Sequence, residues 1–202
     1  MRIAVISPEG ADPREVSAIG GMIEAGLERY HVRKPSWTEH ELEAWLLGLP
    51  PSWRPSLILH QHRELVAELG LGGWHDRDRD GGSTPGALSR SCHDVASLRL
   101  HMPAYGQILF GPVFPSLTKP DYGPAADFPW AGLRALLTAT RASPCRVLAV
   151  GGMTAERLGR CRELGFDGAA VLGAVWRCGD PVLAFMRVRE AAQRLEASPH
   201  AA

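Results

Sequence analysis

The sequence has no excess of charge of either sign. Its 202 residues include 22 Lys and Arg and 22 Asp and Glu, so the formal net charge is zero. A chain without a net positive field is not suited to general binding of nucleic acids or anionic membranes. We therefore expect no nucleic-acid partner and no membrane partner, and any anion has to be bound by a local site.

Cysteine is scarce and widely spaced. The four cysteines lie at positions 92, 145, 161 and 178, and none belongs to a C-x-x-C pair. This spacing argues against cysteine-bound zinc and predicts reduced thiols.

The apolar run at the start of the chain is short. It spans residues 3–6, is soon followed by Pro8, and is too short for a signal peptide or a membrane span, so we expect a cytoplasmic protein. With 45% hydrophobic residues the chain is long enough for one substantial core. We expect one domain, residues 1–202, whose last few residues form a disordered tail.

Short apolar runs alternate with longer segments of helical period along the chain. The predicted strands are residues 3–6, 30–33, 57–60, 73–75, 87–91, 108–110, 147–150 and 169–172. Such alternation is typical of a parallel sheet built from β–α units, and eight units predict a single-domain (β/α)8 TIM barrel. An open doubly wound sheet is the alternative, but no G-x-G-x-x-G follows the first strand.

Two helices and one loop are predicted within this alternation. Residues 39–47 and 155–164 have the amphipathic pattern of helices, and Thr154 is placed to cap the second one. Residues 76–86 are charged and rich in glycine, which predicts a mobile, solvated loop after the fourth strand.

Polar and small residues follow the last three predicted strands. The sixth strand runs into Ser116, Thr118 and Lys119, which offer hydroxyl donors and an ammonium group to phosphate oxygens. The seventh runs into Gly151-Gly152, where backbone N–H groups are open to a phosphate, and the eighth ends in Leu172-Gly173. In a barrel these ends share the rim that carries active sites, which predicts an anion pocket. The prolines of the sixth-strand loop would suit an ordinary surface turn as well.

The order of these motifs resembles the superfamily of thiamine-phosphate synthases and thiazole tautomerases. The resemblance covers nearly the whole chain, and its main segments are residues 111–119, 149–153 and 165–175. Ser91-Cys92-His93 and Gly73-Trp74-His75 are similar to the family's Ser-x-His and Gly-x-His motifs. The run His31-Val32-Arg33-Lys34-Pro35 is similar to that of a divergent, synthase-like branch.

This resemblance implies a synthase that joins a pyrimidine methyl diphosphate to a thiazole phosphate and releases pyrophosphate. By the matching motifs, Arg33 and Lys119 are the catalytic residues. The implied substrate contacts are His31, His60, Ser91, Ser116, Thr118, Gly152, Leu172 and Gly173. The partners would be small phosphate and diphosphate substrates, and members of the family often form homodimers.

The departures from the family pattern lie on the pyrimidine and metal side. His31 stands where the family has Gln, and the second basic residue of that motif is displaced to Lys34. The usual Asn-Asp-Asp after the third strand reads His60-Gln61-His62. The resemblance implies Mg²⁺ bound by Asp80 and Gln61, although the Gln61 amide is a weaker ligand for Mg²⁺ than the carboxylate it replaces.

Three other functions compete with the synthase. A thiazole tautomerase needs an acid/base group, and the histidine that tautomerases carry in the sixth-strand loop is Pro112 here. Other rim histidines can act as bases near neutral pH, namely His31, His60, His62 and His93. A non-catalytic barrel that binds a thiamine precursor is favoured by Gln61 and opposed by the retained sixth-strand loop. A phosphosugar barrel would need only the phosphate-binding turns.

Overall fold

Eight parallel strands form a closed barrel, as a computed structural model of residues 1–80, 82–119 and 121–197 shows; Asp80 is described in its backbone only. The strands are β1 Arg2–Ile6, β2 Arg29–Val32, β3 Leu57–Leu59, β4 Gly73–Asp76, β5 Ser89–Cys92, β6 Gln107–Phe110, β7 Arg146–Ala149 and β8 Gly168–Val171. Each strand pairs with the next, and β8 pairs with β1. The predicted (β/α)8 barrel is therefore confirmed, and the open sheet is wrong. The tail predicted at the end of the chain falls on residues 198–202, which lie outside the described part.

All eight predicted strands overlap observed ones, but several predicted ends lie one residue too far along the chain. Arg33, His60, Val150 and Leu172 come just after β2, β3, β7 and β8. These residues lie in the loops at the carboxyl ends of the strands, where the backbone leaves the sheet. The difference places them on the rim.

Eight helices surround the barrel among the described residues. They are α1 Glu15–Glu24, α2 Glu39–Leu47, α3 Glu64–Leu69, α4 Val95–His101, α5 Trp130–Ala139, α6 Leu158–Leu164, α7 Gly173–Trp176 and α8 Pro181–Ala197. None of the helices in these residues is long and apolar enough to cross a membrane.

The two predicted helices are found, with one difference at a helix start. Helix α2 has the predicted bounds, and Thr38 and Glu41 cap its start reciprocally. The second segment begins as a 3₁₀ turn, Ala155–Arg157, before α6. Thr154 is extended, but its side chain accepts no capping hydrogen bond from a described N–H group, so the predicted cap is wrong.

The interior of the barrel has an apolar side and a polar side. Side chains from β1 and β6–β8 form a small buried apolar cluster of Ala4, Ile6, Leu109, Leu148 and Ala170. From β2, β4, β5 and β6 come buried polar side chains, namely His31, His75, Ser89 and Gln107. Since alternate residues of a strand face opposite ways, this division follows from which residue types occupy the inward positions.

The loop after β4 has buried charged residues at its base, so the prediction that its charges are solvated is wrong for Asp76. Asp76 is fully buried, and each of its carboxylate oxygens accepts two hydrogen bonds. The donors are Trp74 Nε1 at 2.7 Å, the Thr84 N–H at 2.8 Å, the Thr84 hydroxyl at 2.6 Å and the Tyr105 hydroxyl at 2.6 Å. Burial opposes ionisation of Asp76, but these hydrogen bonds outweigh it and lower the pKa of the carboxyl group.

Arg90 supports the same loop from β5. Its buried guanidinium donates hydrogen bonds to the backbone carbonyls of Asp78 at 3.1 Å and Gly82 at 2.9 Å. The sequence alone predicts solvated charges in residues 76–86. Tyr105, which donates a hydrogen bond to Asp76, lies 29 residues away along the chain, so the local sequence does not reveal it.

We predict that Asp76→Asn destabilises the protein by about 2–3 kcal/mol, because the new amide N–H₂ would face two buried donors. The same variant should be cut faster by trypsin at Arg77 and Arg79 in the released loop. Urea unfolding and limited proteolysis measure the two effects. Asp78→Asn is the matched control, since only the backbone of that residue is needed, and an equal effect there would contradict the role given to Asp76.

Candidate active site

A cavity of about 540 Å³ opens at the carboxyl ends of the strands. Among its lining residues are seven of the predicted site residues, namely Arg33, Ser116, Thr118, Lys119, Gly152, Leu172 and Gly173. They reach it from the loops after β2, β6, β7 and β8. A second cavity, of about 360 Å³, lies near the amino end of β1 and contains none of the predicted site residues. The first cavity is therefore the candidate active site.

The loop after β6 brings its polar groups close together. Ser116 Oγ accepts hydrogen bonds from the N–H groups of Thr118 at 3.2 Å and Lys119 at 3.0 Å. The two hydroxyl oxygens of Ser116 and Thr118 are 3.4 Å apart. The turn thus holds two hydroxyl groups next to the exposed ammonium group of Lys119, a combination that suits an anion with several oxygens.

The two predicted catalytic cations share one carboxylate that sequence reasoning missed. Glu9 Oε1 lies 2.5 Å from Arg33 Nη1 and 3.3 Å from Lys119 Nζ. The hydrogen bond from Arg33 contributes most to holding the pKa of Glu9 below its usual value. Because one oxygen of Glu9 contacts both side chains, Arg33 and Lys119 are close enough to bind a single anion together. Glu9 follows the end of β1, so the rule that polar residues collect at strand ends would have found it.

Lys34 does not reach the cavity, contrary to its predicted place as the displaced second basic residue of the site. Its side chain is fully buried, and Nζ donates to the carbonyls of Pro8 at 2.9 Å and Gly10 at 2.8 Å and to the Glu15 carboxylate at 2.5 Å. Lys34 therefore anchors the loop that carries Glu9. Burial raises the pKa of Glu15, although the Lys34 bond opposes the rise.

The turn after β7 packs tightly against the loop after β6. Gly151 and Gly152 have φ values of +92° and +61°, which favour glycine. A Cβ atom on Gly152 would lie 2.2 Å from the Pro115 carbonyl oxygen, and one on Gly173 would lie 3.0 Å from Leu117 Cβ. The two predicted anion-binding regions therefore pack directly against each other, because Gly152 and Gly173 both contact the loop that carries Ser116.

His31 and His60 lie outside the lining of the cavity. They form a buried group with His75, which we call the histidine cluster. His31 Nδ1 is 3.0 Å from His60 Nε2, and the rings of His60 and His75 stack with centroids 4.0 Å apart. Burial lowers the pKa of His31 to about 3 and lowers those of His60 and His75 well below the ordinary value, so all three rings are neutral at neutral pH.

The Ser91 hydroxyl forms a hydrogen bond with the histidine cluster. The two ring nitrogens of His75 lie 2.8 Å from Ser89 Oγ and 2.9 Å from Ser91 Oγ. On the opposite side of the cluster, His31 Nε2 is 3.1 Å from Gln107 Nε2. The predicted catalytic and substrate-binding residues are therefore divided: seven line the cavity, and His31, His60 and Ser91 lie in the polar half of the barrel.

The predicted magnesium ligands do not form a carboxylate site among the described residues. Gln61 is partly buried, and its Nε2 has no hydrogen-bond partner in the described part of the chain. Asp80 belongs to a 3₁₀ turn, Asp78–Asp80, but its side chain lies outside what the structure describes. The nearby Asp76 carboxylate is taken up by its four hydrogen bonds.

The family model for thiamine monophosphate synthase matches residues 3–175. The chain belongs to the thiamine monophosphate synthase family. The thiamine-phosphate synthase of Methylobacillus flagellatus is 28% identical over 189 residues, which cover 87% of each chain. That of Nitrosococcus oceani is 30% identical over 167 residues, which cover 77% of this chain and 74% of the relative. The crystal structure of thiamine phosphate pyrophosphorylase from Bacteroides thetaiotaomicron has a TM-score of 0.76 at 25% identity and covers 96% of this chain and 98% of that one.

By the resemblance to the family pattern, three matching loops line the cavity, and the departures at β2 and β3 lie outside its lining. The matched loops follow β6, β7 and β8 and line the cavity. The changed positions, His31, His60 and Gln61, follow or belong to β2 and β3. The departures implied by the resemblance thus lie outside the cavity lining, which is formed by the loops suited to binding phosphate groups and by Arg33.

We predict that Gly152→Ala weakens the binding of both phosphate and pyrophosphate by at least about tenfold, because the new methyl group would push the Pro115 carbonyl and shift the Ser116 loop. Isothermal titration with each anion measures the effect. Gly159→Ala is the control, since a Cβ atom there meets nothing within 4 Å. Loss of affinity for only one anion would show that the two regions act independently.

Proposed function

We propose that this cavity carries out thiamine-phosphate synthesis, in which a pyrimidine methyl diphosphate is joined to a thiazole phosphate with release of pyrophosphate. One observation carries the proposal: the cations Arg33 and Lys119 and the hydroxyls of Ser116 and Thr118 line the same cavity as the Gly151-Gly152 turn. Two anionic groups can therefore be held side by side in one chamber, as the joining of two phosphorylated substrates requires. The chain is then a transferase, like the relatives that carry the synthase name.

The reaction breaks the bond between the methylene carbon of the pyrimidine and the oxygen of the diphosphate. The electron pair leaves with pyrophosphate, and the thiazole nitrogen then donates a pair to the methylene carbon. Negative charge grows on the leaving oxygen as the bond breaks, so Lys119 and Arg33 stabilise the transition state more than the ground state. The hydroxyls of Ser116 and Thr118 donate to the same oxygens, and the backbone N–H groups of the turn after β7 hold the thiazole phosphate.

Magnesium stays a proposal for this chain. Asp80 and Gln61 would hold the ion together with diphosphate oxygens, since Mg²⁺ commonly binds through one or two carboxylates and substrate phosphates. Bound there, it would neutralise charge on the leaving group. The described residues supply only the Gln61 amide, so we expect a weaker dependence on Mg²⁺ than a two-carboxylate site would give.

The remaining substrate assignments are also proposals. Family resemblance implies His31, His60 and Ser91 as contacts on the pyrimidine side, although none of them belongs to the lining of the cavity. We further propose a homodimer and a cytoplasmic location. The free thiols of Cys92, Cys145, Cys161 and Cys178 support a reducing compartment.

The test of the function is the formation of thiamine phosphate from both substrates by the purified protein, with Mg²⁺ and then with chelator. We predict that Lys119→Ala lowers turnover by at least about tenfold, because charge on the leaving group is less well stabilised. Arg99→Ala, which removes a positive charge from exposed α4 outside the cavity lining, should leave turnover unchanged.

The outcomes of this assay separate the competing functions. Absence of product from the wild type, with thiazole phosphate still bound, would reject the synthase in favour of a tautomerase or a binding protein. Conversion between thiazole carboxylate phosphate isomers, followed by NMR, distinguishes those two. Unchanged turnover in Lys119→Ala would remove the role of Lys119 but keep the function.

We predict that Glu9→Gln binds inorganic pyrophosphate about fivefold more tightly, because the diphosphate no longer competes with a carboxylate for Arg33 and Lys119. Isothermal titration measures the affinity. Asp12→Asn is the matched control: Asp12 also lines the cavity, but its carboxylate is paired with Arg14 at 2.7 Å. Weaker binding by Glu9→Gln would mean that Glu9 positions the cations instead of competing with the substrate.

A further inference from the structure

The histidine cluster, formed by His31, His60 and His75, has no part in the phosphate chemistry proposed above. Its three side chains come from neighbouring strands, with His31 in β2, His75 in β4 and His60 directly after β3. His31 and His75 are fully buried, and His60 is 6% exposed. Three imidazole groups thus meet inside the polar half of the barrel, and His60 gives the group its contact with the rim.

The nitrogens of the cluster are close enough to share an ion. One ring nitrogen from each histidine can be chosen so that all three lie within 4.8 Å of one another. His31 Nδ1 and His60 Nε2 are 3.0 Å apart. Zinc–nitrogen bonds of about 2.0–2.1 Å in a tetrahedral site place ligand nitrogens about 3.3 Å apart. The widest separation in the cluster therefore has to shorten by about 1.5 Å at most for coordination.

Metal coordination requires mainly that the His60 ring turns. His60 and His75 stack with an interplanar angle of 21°, so one ring has to turn before both can point at one ion. His75 is held at both nitrogens by Ser89 and Ser91, whereas the hydrogen bond of His60 runs through Nε2 to His31. We expect His60 to turn, and His75 to exchange one serine hydrogen bond for the metal bond.

The surrounding side chains resemble the outer shell of metal sites. Ligating histidines usually use their second nitrogen for a hydrogen bond that fixes the ring. His75 has such a partner in a serine hydroxyl. The Gln107 amide presents Nε2 to His31 Nε2 at 3.1 Å, so it has to turn its oxygen to that nitrogen to accept a hydrogen bond from a metal-bound His31. These contacts keep two of the three rings in place before an ion arrives, which reduces the cost of ordering the site.

The donor set selects the kind of ion. It contains three imidazoles and no carboxylate, and neutral imidazole is the form that binds metal. Imidazole nitrogen suits Zn²⁺, Co²⁺, Ni²⁺ and Cu²⁺, whereas Mg²⁺ prefers oxygen ligands. The cluster therefore discriminates against the ion expected at the diphosphate.

Two of the three histidines are departures from the family pattern. By the family resemblance, His31 stands in the place of a Gln and His60 in the place of an Asn. Either change alone replaces an amide with an imidazole. Together they complete a set of three with His75, whose Gly-x-His motif resembles that of the family.

We propose that His31, His60 and His75 form a binding site for one divalent transition-metal ion inside the barrel, separate from the proposed magnesium position. A bound ion would occupy ring nitrogens of His31 and His60, the two histidines that the family resemblance assigns to substrate. An ion bound there ties β2, β3 and β4 together and stabilises the folded protein, because the unfolded chain lacks the assembled site.

The experiment uses untagged, full-length protein that has been freed of metal with chelator and titrated with Co²⁺ in excess Mg²⁺. We expect one Co²⁺ per chain, the visible absorption of a tetrahedral site with nitrogen ligands, and a higher melting temperature. Equal occupancy with and without Mg²⁺ is expected, because the two ions prefer different donors.

Two variants introduce the residues that the family resemblance implies at these positions. His31→Gln and His60→Asn should each weaken Co²⁺ binding by at least about hundredfold and abolish the tetrahedral absorption. His62→Asn is the matched control, since His62 lies two residues from His60, has a positive φ of 55° that Asn tolerates, and faces Glu39 outside the cluster. Its Co²⁺ binding should equal that of the wild type.

Three results would overturn the proposal. They are the absence of Co²⁺ binding by wild-type protein, undiminished binding by His31→Gln and His60→Asn, and equal loss in the His62→Asn control. Circular dichroism and melting of the metal-free variants separate loss of ligands from misfolding. Metal binding is measured without either substrate, so the result is independent of whether the synthase reaction is found.

Discussion

The closure of the sheet between β8 and β1 is the constraint on which the site depends. The two strands pair in parallel from Arg2 with Gly168 to Val5 with Val171. A Cβ atom on Gly168 would lie 2.0 Å from the Arg2 carbonyl oxygen, so the approach of the two backbones requires glycine there. Closure brings the loops after β1 and β8 to the same rim, and Glu9 and Gly173 consequently line one cavity.

The sequence also places polar residues at inward positions of several strands, where each polar side chain needs a partner. The chain meets this requirement with hydrogen bonds between strands, from Gln107 through His31 to His60, and from His75 to two serines. Desolvation keeps the three rings neutral, so the interior carries polar groups without unpaired charge. A buried group of neutral imidazoles is therefore compatible with stability and with metal binding at once.

Positive charge at the rim is controlled by carboxylates from elsewhere in the chain. Lys34 is buried against Glu15 and fixes the carbonyls of the loop after β1, while Glu9 on that loop faces Arg33 and Lys119. Lys34 thus stabilises the fold, whereas Arg33 and Lys119 line the cavity. The neighbours Arg33 and Lys34 have such different roles because successive residues at a strand end point in opposite directions.

The sequence predicts the barrel well because its signal is local. Alternating strand and helix patterns mark all eight strands, and an amphipathic pattern marks α2. The anion cavity is also largely predictable, since glycine turns and hydroxyl residues after strands carry their chemistry in their own composition. Asp76 was misread because Trp74, Thr84 and Tyr105, which bury it, converge only in the folded chain.

The difference between local signals and contacts formed on folding also explains why the sequence did not predict the histidine cluster. His31, His60 and His75 were each visible as polar residues near strand ends, but their spacing of 29 and 15 residues matches no metal motif. Only the register of β2, β3 and β4 turns the three to one point: His31 pairs with Ile58, and Ile58 pairs with Gly73. Paired residues of neighbouring strands face the same side of the sheet, so Ile58 and Gly73 occupy inward positions as His31 does. His60 and His75 each lie two residues further along the chain, and they therefore also face inward. A metal motif in a barrel is a pattern across strands, and a search along the chain will miss it.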